Sequence, residues 1–326
     1  MGCIGIDSRS DPQMQPKVFY LCVPCLFFPP AFRPSGFPAF WRAMRIDAPA
    51  KLNLFLQILG RRPDGYHELV SLIVPVEGIS DHLDFKPLDN GDLRLEGDLS
   101  GLPSEENLAF RAARALQEAS GTRQSARIRI TKYIPAGGGL GGGSSDAAVV
   151  LKTLNGLWNL DFPLSRLLEI GHRLGSDIPF FLQGRAGIVR GAGERFDPLP
   201  DRLPLPGNLA VVVPSVRCPT PAVYQAWDRL TPAPTTEDPR LSDFLAGRGP
   251  LPVRNDLEAA ACVLHPELAG VRRQIVESGA SRVAMSGSGS CFWADYPTPE
   301  KRAEGLGRLT KVLKSYIVSP VQDPLG

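Results

Sequence analysis

Residues 135–145 read Pro135-Ala136-Gly137-Gly138-Gly139-Leu140-Gly141-Gly142-Gly143-Ser144-Ser145. Six glycines in seven positions is a costly choice, because each loses extra backbone entropy on folding. A plain turn needs one or two, so the run points to backbone that must approach something closely from several directions. A glycine loop feeding a helix presents free N–H groups and partial positive charge, which suit a phosphate. Ser144, Ser145 and Asp146 are placed to cap that helix. A Walker loop is excluded, since no Lys stands where G-x-x-x-x-G-K-[ST] requires it. Gly137, Gly139 and Gly142 match the dinucleotide pattern G-x-G-x-x-G formally, with Asp161 about 20 residues on. Any run this rich in glycine contains that match, and Asp161 sits in an Asn-Leu-Asp-Phe-Pro turn. A nucleotide phosphate loop of another fold is left, because a flexible linker rarely lies between an alternating strand and a helix. Two charged residues stand in unusual surroundings. Asp177 precedes the apolar run Ile178-Pro179-Phe180-Phe181, where it reads by itself as a helix or turn cap. Lys51 interrupts an apolar strand, a place usually taken by an edge or snorkelling residue.

Three segments, taken in order, are more specific. Pro49-Ala50-Lys51-Leu52-Asn53-Leu54, the loop through Ala148, and Met285-Ser286-Gly287-Ser288-Gly289-Ser290-Cys291 resemble the three motifs of one superfamily. It is that of galactokinase, homoserine kinase, mevalonate kinase and phosphomevalonate kinase. The resemblance runs from about Ala48 to Tyr316. Arg61–Leu69 (RRPDGYHEL), Leu174–Phe181 (LGSDIPFF) and Asn255–Glu258 (NDLE) narrow it to the branch acting on a cytidyl-linked alcohol. What this implies is ATP as phosphoryl donor, Mg²⁺ with it, and phosphorylation of the 2-hydroxyl of 4-diphosphocytidyl-2-C-methyl-D-erythritol in the non-mevalonate isoprenoid route. It implies that Asp177 is the catalytic base and that Lys51 favours the attacking alkoxide electrostatically. It also implies a cytidine site of Asn53, Tyr66 and His67, with Tyr224 as a second aromatic that sandwiches the ring. Asn107 and Lys132 match positions that contact ATP on its adenine and phosphate sides. Ser144 or Ser145 could supply a hydroxyl near Mg²⁺, and both stay open. Another small-molecule kinase of the superfamily, or a non-catalytic ATP-binding regulator, are the rival readings. The cytidine-type segments speak against the first, and the intact Lys51 and Asp177 against the second.

The elements that must position these residues follow from periodicity. Ala50–Gly60 alternates as a strand with one buried face, and Gly60–Gly65 is turn chemistry. Leu69–Val76, His82–Phe85, Leu93–Glu96 and Arg127–Ile130 read as further strands. Helical patterns cover Asn107–Ala119, Asp146–Leu157 and Leu164–Leu174. The proline-rich segment Asp197–Gly207 marks a boundary between domains 44–198 and 199–326. Beyond it come a strand at Leu209–Val213, a helix at Pro221–Leu230 and a loop-rich Thr231–Pro252. Helices at Asn255–Val263, Pro266–Ser278 and Pro299–Leu313, and strands at Arg282–Met285 and Cys291–Ala294, complete the pattern. Strands and helices mix without regular alternation, so the expected class is α+β. The family resemblance adds two domains with the active site in the cleft between them.

The composition fits a catalyst of small molecules. Among 326 residues, 36 basic against 34 acidic gives a net charge of +2, which argues against a nucleic-acid coat. No apolar run approaches the ~18 residues of a spanning helix, so no membrane partner is expected. A cytoplasmic location and a monomer or homodimer are the expectations. Cys218, Cys262 and Cys291 stand apart in apolar contexts and read as buried thiols. His82, His172 and His265 have no metal-ligand spacing. The first 43 residues hold 6 of the 15 Phe and 7 of the 32 Pro, with no sustained period. They read as a disordered leader or a mis-called start before Met44, in preference to a secretory signal at Val18–Phe28 or a zinc site at Cys22 and Cys25. A chain begun at Met44 should keep the unfolding midpoint and the turnover of the full chain. Loss of solubility or activity in that shortened chain refutes this.

Overall fold

The computed structural model describes residues 19–20, 44–88, 92–99, 101, 103–200, 203–230, 234–309 and 313–320. β1 (Phe19–Tyr20) lies parallel to the start of β2 (Met44–Arg61). Apart from those two residues, the expectations for residues 1–43, the Cys22–Cys25 pair included, fall outside the described residues.

β2 and β3 (His67–Leu88) form a long antiparallel pair, which is the spine of the molecule. The strands expected at Leu69–Val76 and His82–Phe85 are one strand. Its register against β2 jumps from Pro49↔Ser80 to Ala50↔Val76, leaving Glu77, Gly78 and Ile79 without partners on β2. Gly78 has φ 93°, and a Cβ there would strike the Ile317 carbonyl. A bulge bends the strand without ending it, and in sequence the bend looks like a break. The single buried face expected for β2 is also corrected, because residues 50–58 are buried on both faces. The alternate polar residues do not face water. Asn53 and Gln57 are 4% and 1% exposed, and each is matched to a buried partner.

β3 carries β5 (Ser125–Thr131) on its second half and β6 (Gly187–Gly191) on its first. β4 (Arg94–Gly97) extends β5, and β7 (Arg195–Pro198) extends β6. The path continues from β3 through β12 (Lys314–Pro320), β8 (Leu209–Val213) and β11 (Phe292–Asp295) to β10 (Arg282–Met285). β9 (Arg254–Asn255) runs parallel to β2. α1 (Leu108–Ser120), α2 (Gly142–Leu157), α3 (Leu164–Leu174) and α4 (Ile178–Gln183) share one core with β5 and the second half of β3. α5 (Thr220–Leu230), α7 (Leu257–Leu264), α8 (Glu267–Glu277) and α9 (Pro299–Leu309) share another with β8, β10 and β11. A middle core joins Leu52, Leu54 and Val74 to Leu209, Val211 and Trp293, from both sides of the expected 198/199 boundary.

The class is α+β, as the mixed pattern implied. Within the segment expected to be loop-rich, α6 (Pro239–Leu245) is a short helix. Asp238 caps it through the Arg240 N–H and Pro239 opens it. Seven residues are too few for a helical period to stand out. Cys218 and Cys291 are buried, but Cys262 is only partly so.

Candidate active site

The glycine loop is crowded by the protein itself. Gly139 has φ 74°, and a Cβ there would overlap the Ser286 carbonyl. One at Gly138 would overlap the Cys291 sulfur, and one at Gly141 would come within 2.9 Å of the Phe181 ring. Two hydrogen bonds lock the contact with the 285–291 loop. Ser286 Oγ donates to the Gly139 carbonyl (3.1 Å), and the Cys291 N–H donates to that of Gly138 (3.2 Å). Gly143 differs. It is exposed, and a Cβ there would meet only Leu108 at an ordinary 3.7 Å. α2 begins at Gly142, inside the glycine run, so the expected Ser144-Ser145-Asp146 cap is wrong. Those residues lie in the first helical turn, with Gly141 in the cap position. The chain tightens into helix as soon as it clears Phe181.

The Lys51 N–H donates to the Leu140 carbonyl (3.0 Å), which pins the loop to β2. Lys51 is 4% exposed, so the edge-residue reading fails. Its ammonium donates to Asn53 Oδ1 (2.5 Å) and stands 3.6 Å from Asp177 Oδ2. Asp177 occupies the cap position of α4, but its side chain makes no capping bond. Its carboxylate is 38% exposed and turned to Lys51. Asn53 sits with Lys51. Its Nδ2 donates to Ser71 Oγ (2.8 Å), so both ends of its amide are engaged within the protein.

Asp81, absent from the sequence candidates, organises the entry to the loop. It is fully buried. Its Oδ1 accepts the N–H groups of Tyr133 (2.6 Å) and Ile134 (2.8 Å), and its Oδ2 accepts Lys132. Lys132 also donates to Asp146 Oδ2 (2.8 Å). This cluster ties the strand before the loop to the helix after it. Burial opposes the Lys132 charge, yet Asp146 and Asp81 outweigh it and raise the pKa. One ammonium facing two carboxylates away from water leaves Asp146 short of compensation. Burial above all, with Asp81 adding to it against the pull of Lys132, lifts Asp146 from 3.8 to about 7. Asp146 Oδ1 and Ser145 Oγ are buried without partners among the described residues, whereas Ser144 is half-buried. Asn107 caps α1 by accepting the Ala109 N–H (2.9 Å). Signals for Asp81 were weak, since a carboxylate among Gly-Ile-Ser-Asp-His reads as a surface turn.

Tyr66 stands at the tip of the β2–β3 turn, 66% exposed. Asp64 Oδ1 accepts its N–H (3.1 Å), and its own carbonyl accepts that of Arg62 (2.7 Å), so the turn is rigid while the ring is bare. His67 packs on Tyr224, with ring centres 4.7 Å apart and planes 33° apart. Burial, with the nearby Asp177 charge, raises the Tyr224 pKa. The aromatic cluster and the Lys51–Asp177 pair are therefore neighbours. The NDLE segment holds the second glycine loop. Asn255 Nδ2 donates to the carbonyls of Met285 (2.6 Å) and Gly287 (2.9 Å), and Glu258 accepts the Met285 N–H (3.0 Å). Arg217, also missed in the sequence, lays its stem along Gly137. Burial pushes the Cys291 thiol up to about 12, which leaves it inert.

Residues 107–185 match the family model described as GHMP kinases N terminal domain. A solved crystal structure of 4-(cytidine 5'-diphospho)-2C-methyl-D-erythritol kinase superposes with TM-score 0.71 at 38% identity, covering 85% of this chain and 100% of that one. A 4-diphosphocytidyl-2-C-methyl-D-erythritol kinase of Azoarcus sp. (strain BH72) is 41% identical over 249 residues, 76% of this chain and 83% of that protein. This chain belongs to that kinase family. A relative of the same name from Shewanella piezotolerans reaches 39% over 83% of this chain and 91% of its own length. Homoserine kinase from Cytophaga hutchinsonii, at 20% identity and TM-score 0.67, shares the fold over 88% of this chain and 97% of its own. The matched family model spans the first glycine loop, and no described helix is long and apolar enough to cross a membrane.

Two predictions follow from this geometry. Gly139→Ala should destabilise by at least ~2 kcal/mol, from left-handed strain plus overlap with Ser286. Gly143→Ala should leave stability unchanged or raised by up to ~1 kcal/mol, since alanine favours the helix. It should still raise the KM for ATP, if the missing side chain there serves the ligand. Denaturant unfolding with ATP titration checks both. The second concerns pH. Asp146 binds a proton more tightly folded than unfolded, so its contribution is present below 3.8 and is lost as pH rises through about 7. Asp146→Asn should therefore gain stability on the parent between about pH 4 and 7, with no further gain above, in parallel unfolding curves.

Proposed function

We propose that this enzyme transfers the γ-phosphoryl group of ATP to the 2-hydroxyl of 4-diphosphocytidyl-2-C-methyl-D-erythritol. The single observation that carries the reading is a Lys–Asp pair pinned to a glycine loop. Asp177 Oδ2 lies 3.6 Å from Lys51 Nζ, and the Lys51 backbone bonds to Leu140. Residues 44–198 supply this machinery, residues 199–326 supply Tyr224 and the bracing loop, and the cleft between holds the substrates.

Asp177 accepts the proton of the substrate hydroxyl as its oxygen attacks the γ-phosphorus. The carboxylate is partly open, so an alcohol can reach it. Lys51 cannot move away, because Asn53 Oδ1 holds its ammonium, and its charge stabilises the developing alkoxide. The N–H groups of residues 135–145 and the start of α2 bind the polyphosphate. Lys132 serves its phosphate side and Asn107 its adenine side. Tyr66 and Tyr224 clasp the cytosine, and His67 reads its edge. Asn53 acts through Lys51. Mg²⁺ accompanies ATP and neutralises phosphate charge when bound. Ser145 Oγ and Asp146 Oδ1, hard oxygens without partners among the described residues, are a donor set that fits it. The reaction is expected in the cytoplasm.

Asp177→Asn keeps the shape of the side chain but cannot take the proton. Turnover should fall by about 10²–10⁴ with both affinities intact. ADP release, coupled and followed with the cytidyl substrate against homoserine and mevalonate, tests substrate and base together. Turnover within a few-fold of the parent shows that Asp177 is not the base. Faster reaction with homoserine or mevalonate defeats the substrate assignment.

A further inference from the structure

His67 is held by a residue outside every motif above. Its Nε2 lies 2.7 Å from Asp228 Oδ1 on α5, while its side chain is only 10% exposed. Tyr224 covers one face of the ring and Trp227 meets it edge-on at 5.5 Å. Arg61 Nη1 stands 3.9 Å from the other Asp228 oxygen and keeps the carboxylate in place. Nδ1 makes no hydrogen bond among the described residues.

A carboxylate only accepts, so Nε2 must carry the proton that forms this bond. In the neutral ring the two nitrogens differ, and the proton on Nε2 leaves Nδ1 as a bare acceptor. Cytosine presents an exocyclic amino donor at the position where uracil presents a carbonyl acceptor. A fixed acceptor pairs with the first and opposes its lone pair to the second. An imidazole free to switch tautomer would serve either base.

We propose that Asp228 is a positioning residue that locks His67 in the Nε2–H tautomer and thereby selects cytidyl over uridyl substrates. This rests on the cytidyl reading above. Asp228 touches no reacting atom and acts only through His67.

The test compares kcat/KM for the cytidyl substrate and its uridyl analogue in the parent, Asp228→Asn and Asp228→Glu. It adds ¹⁵N spectra of histidine-labelled parent, with His67 assigned by substitution. An asparagine amide can accept from Nε2–H or donate to a bare Nε2, so it satisfies both tautomers. Asp228→Asn should shrink the cytidyl preference roughly 10-fold or more, mainly through KM, with kcat on the cytidyl substrate little changed. Asp228→Glu, which keeps an acceptor-only partner, should retain the preference. The parent spectra should show the proton on Nε2. A His67 proton on Nδ1 in the parent overturns the inference without any variant. A parent that prefers cytidyl, with the preference intact in Asp228→Asn, overturns it alone. A parent without preference overturns the cytidyl reading and the inference with it.

Discussion

The molecule depends on two loops packed so closely that the first cannot carry a side chain where it meets the second. Gly138 and Gly139 lie against Cys291 and Ser286, and the carbonyls of both accept hydrogen bonds from that second loop. The loops lie far apart in the chain, 147 positions at the Ser286–Gly139 bond. Their contact therefore fixes how the helical layer built from residues 108–183 meets the sheet of β8, β11 and β10. The glycine cost is offset by backbone bonds in a buried setting, where an unmade bond would be expensive. Ligand approach explains only part of the glycine count, since the protein already fills the space at 138, 139 and 141.

From that contact a connected set of buried polar groups runs to the chemistry. The Asn53 N–H donates to Ser286 Oγ, its carbonyl accepts the Trp293 indole, and its side chain holds Lys51. Lys51 faces Asp177, whose charge is felt at Tyr224. On the other side of the loop, Asp81 binds two backbone N–H groups and, with Asp146, grips Lys132. Lys51, Asp81 and Lys132 each have a hydrogen-bonded partner, as burial of charge requires. Rigidity of this kind suits phosphoryl transfer, which needs alignment more than covalent participation. Grooves of about 520 Å³ beside α1 and about 350 Å³ beside β9, α7 and β10 hold none of the phosphate-loop, Lys51–Asp177 or tyrosine residues.

Local patterns spoke where local physics decides. The amphipathic stripes of α1 and α3, the strands β8 and β10, and the punctuation around Gly65 were legible because periodicity and turn chemistry act over a few residues. The β6–β7 hairpin, α6 and β12 were not read. Each is short, and each is stabilised by partners far away in sequence, as β12 is by β8. The alternation in β2 misled for a related reason. Polar positions predict a wet face only when nothing else covers them, and here Ser71, Ser286 and Thr236 do.

By itself, the sequence determined which backbone could make a phosphate loop and that the class was α+β, while Lys51 and Asp177 were singled out for the chemistry only through the family resemblance. Glycine spacing and residue type carry that information, because they limit what a segment can do anywhere. Only the tertiary structure decided that Asp81 bonds to the backbone at the loop's entry, that Asn53 bonds to Lys51, and that Asp228 bonds to His67. These pairings join residues as far apart as 161 positions, the separation of His67 and Asp228. A carboxylate's role depends on which donors the fold brings to it and on how much water remains there. Neither quantity is written in the residues beside it.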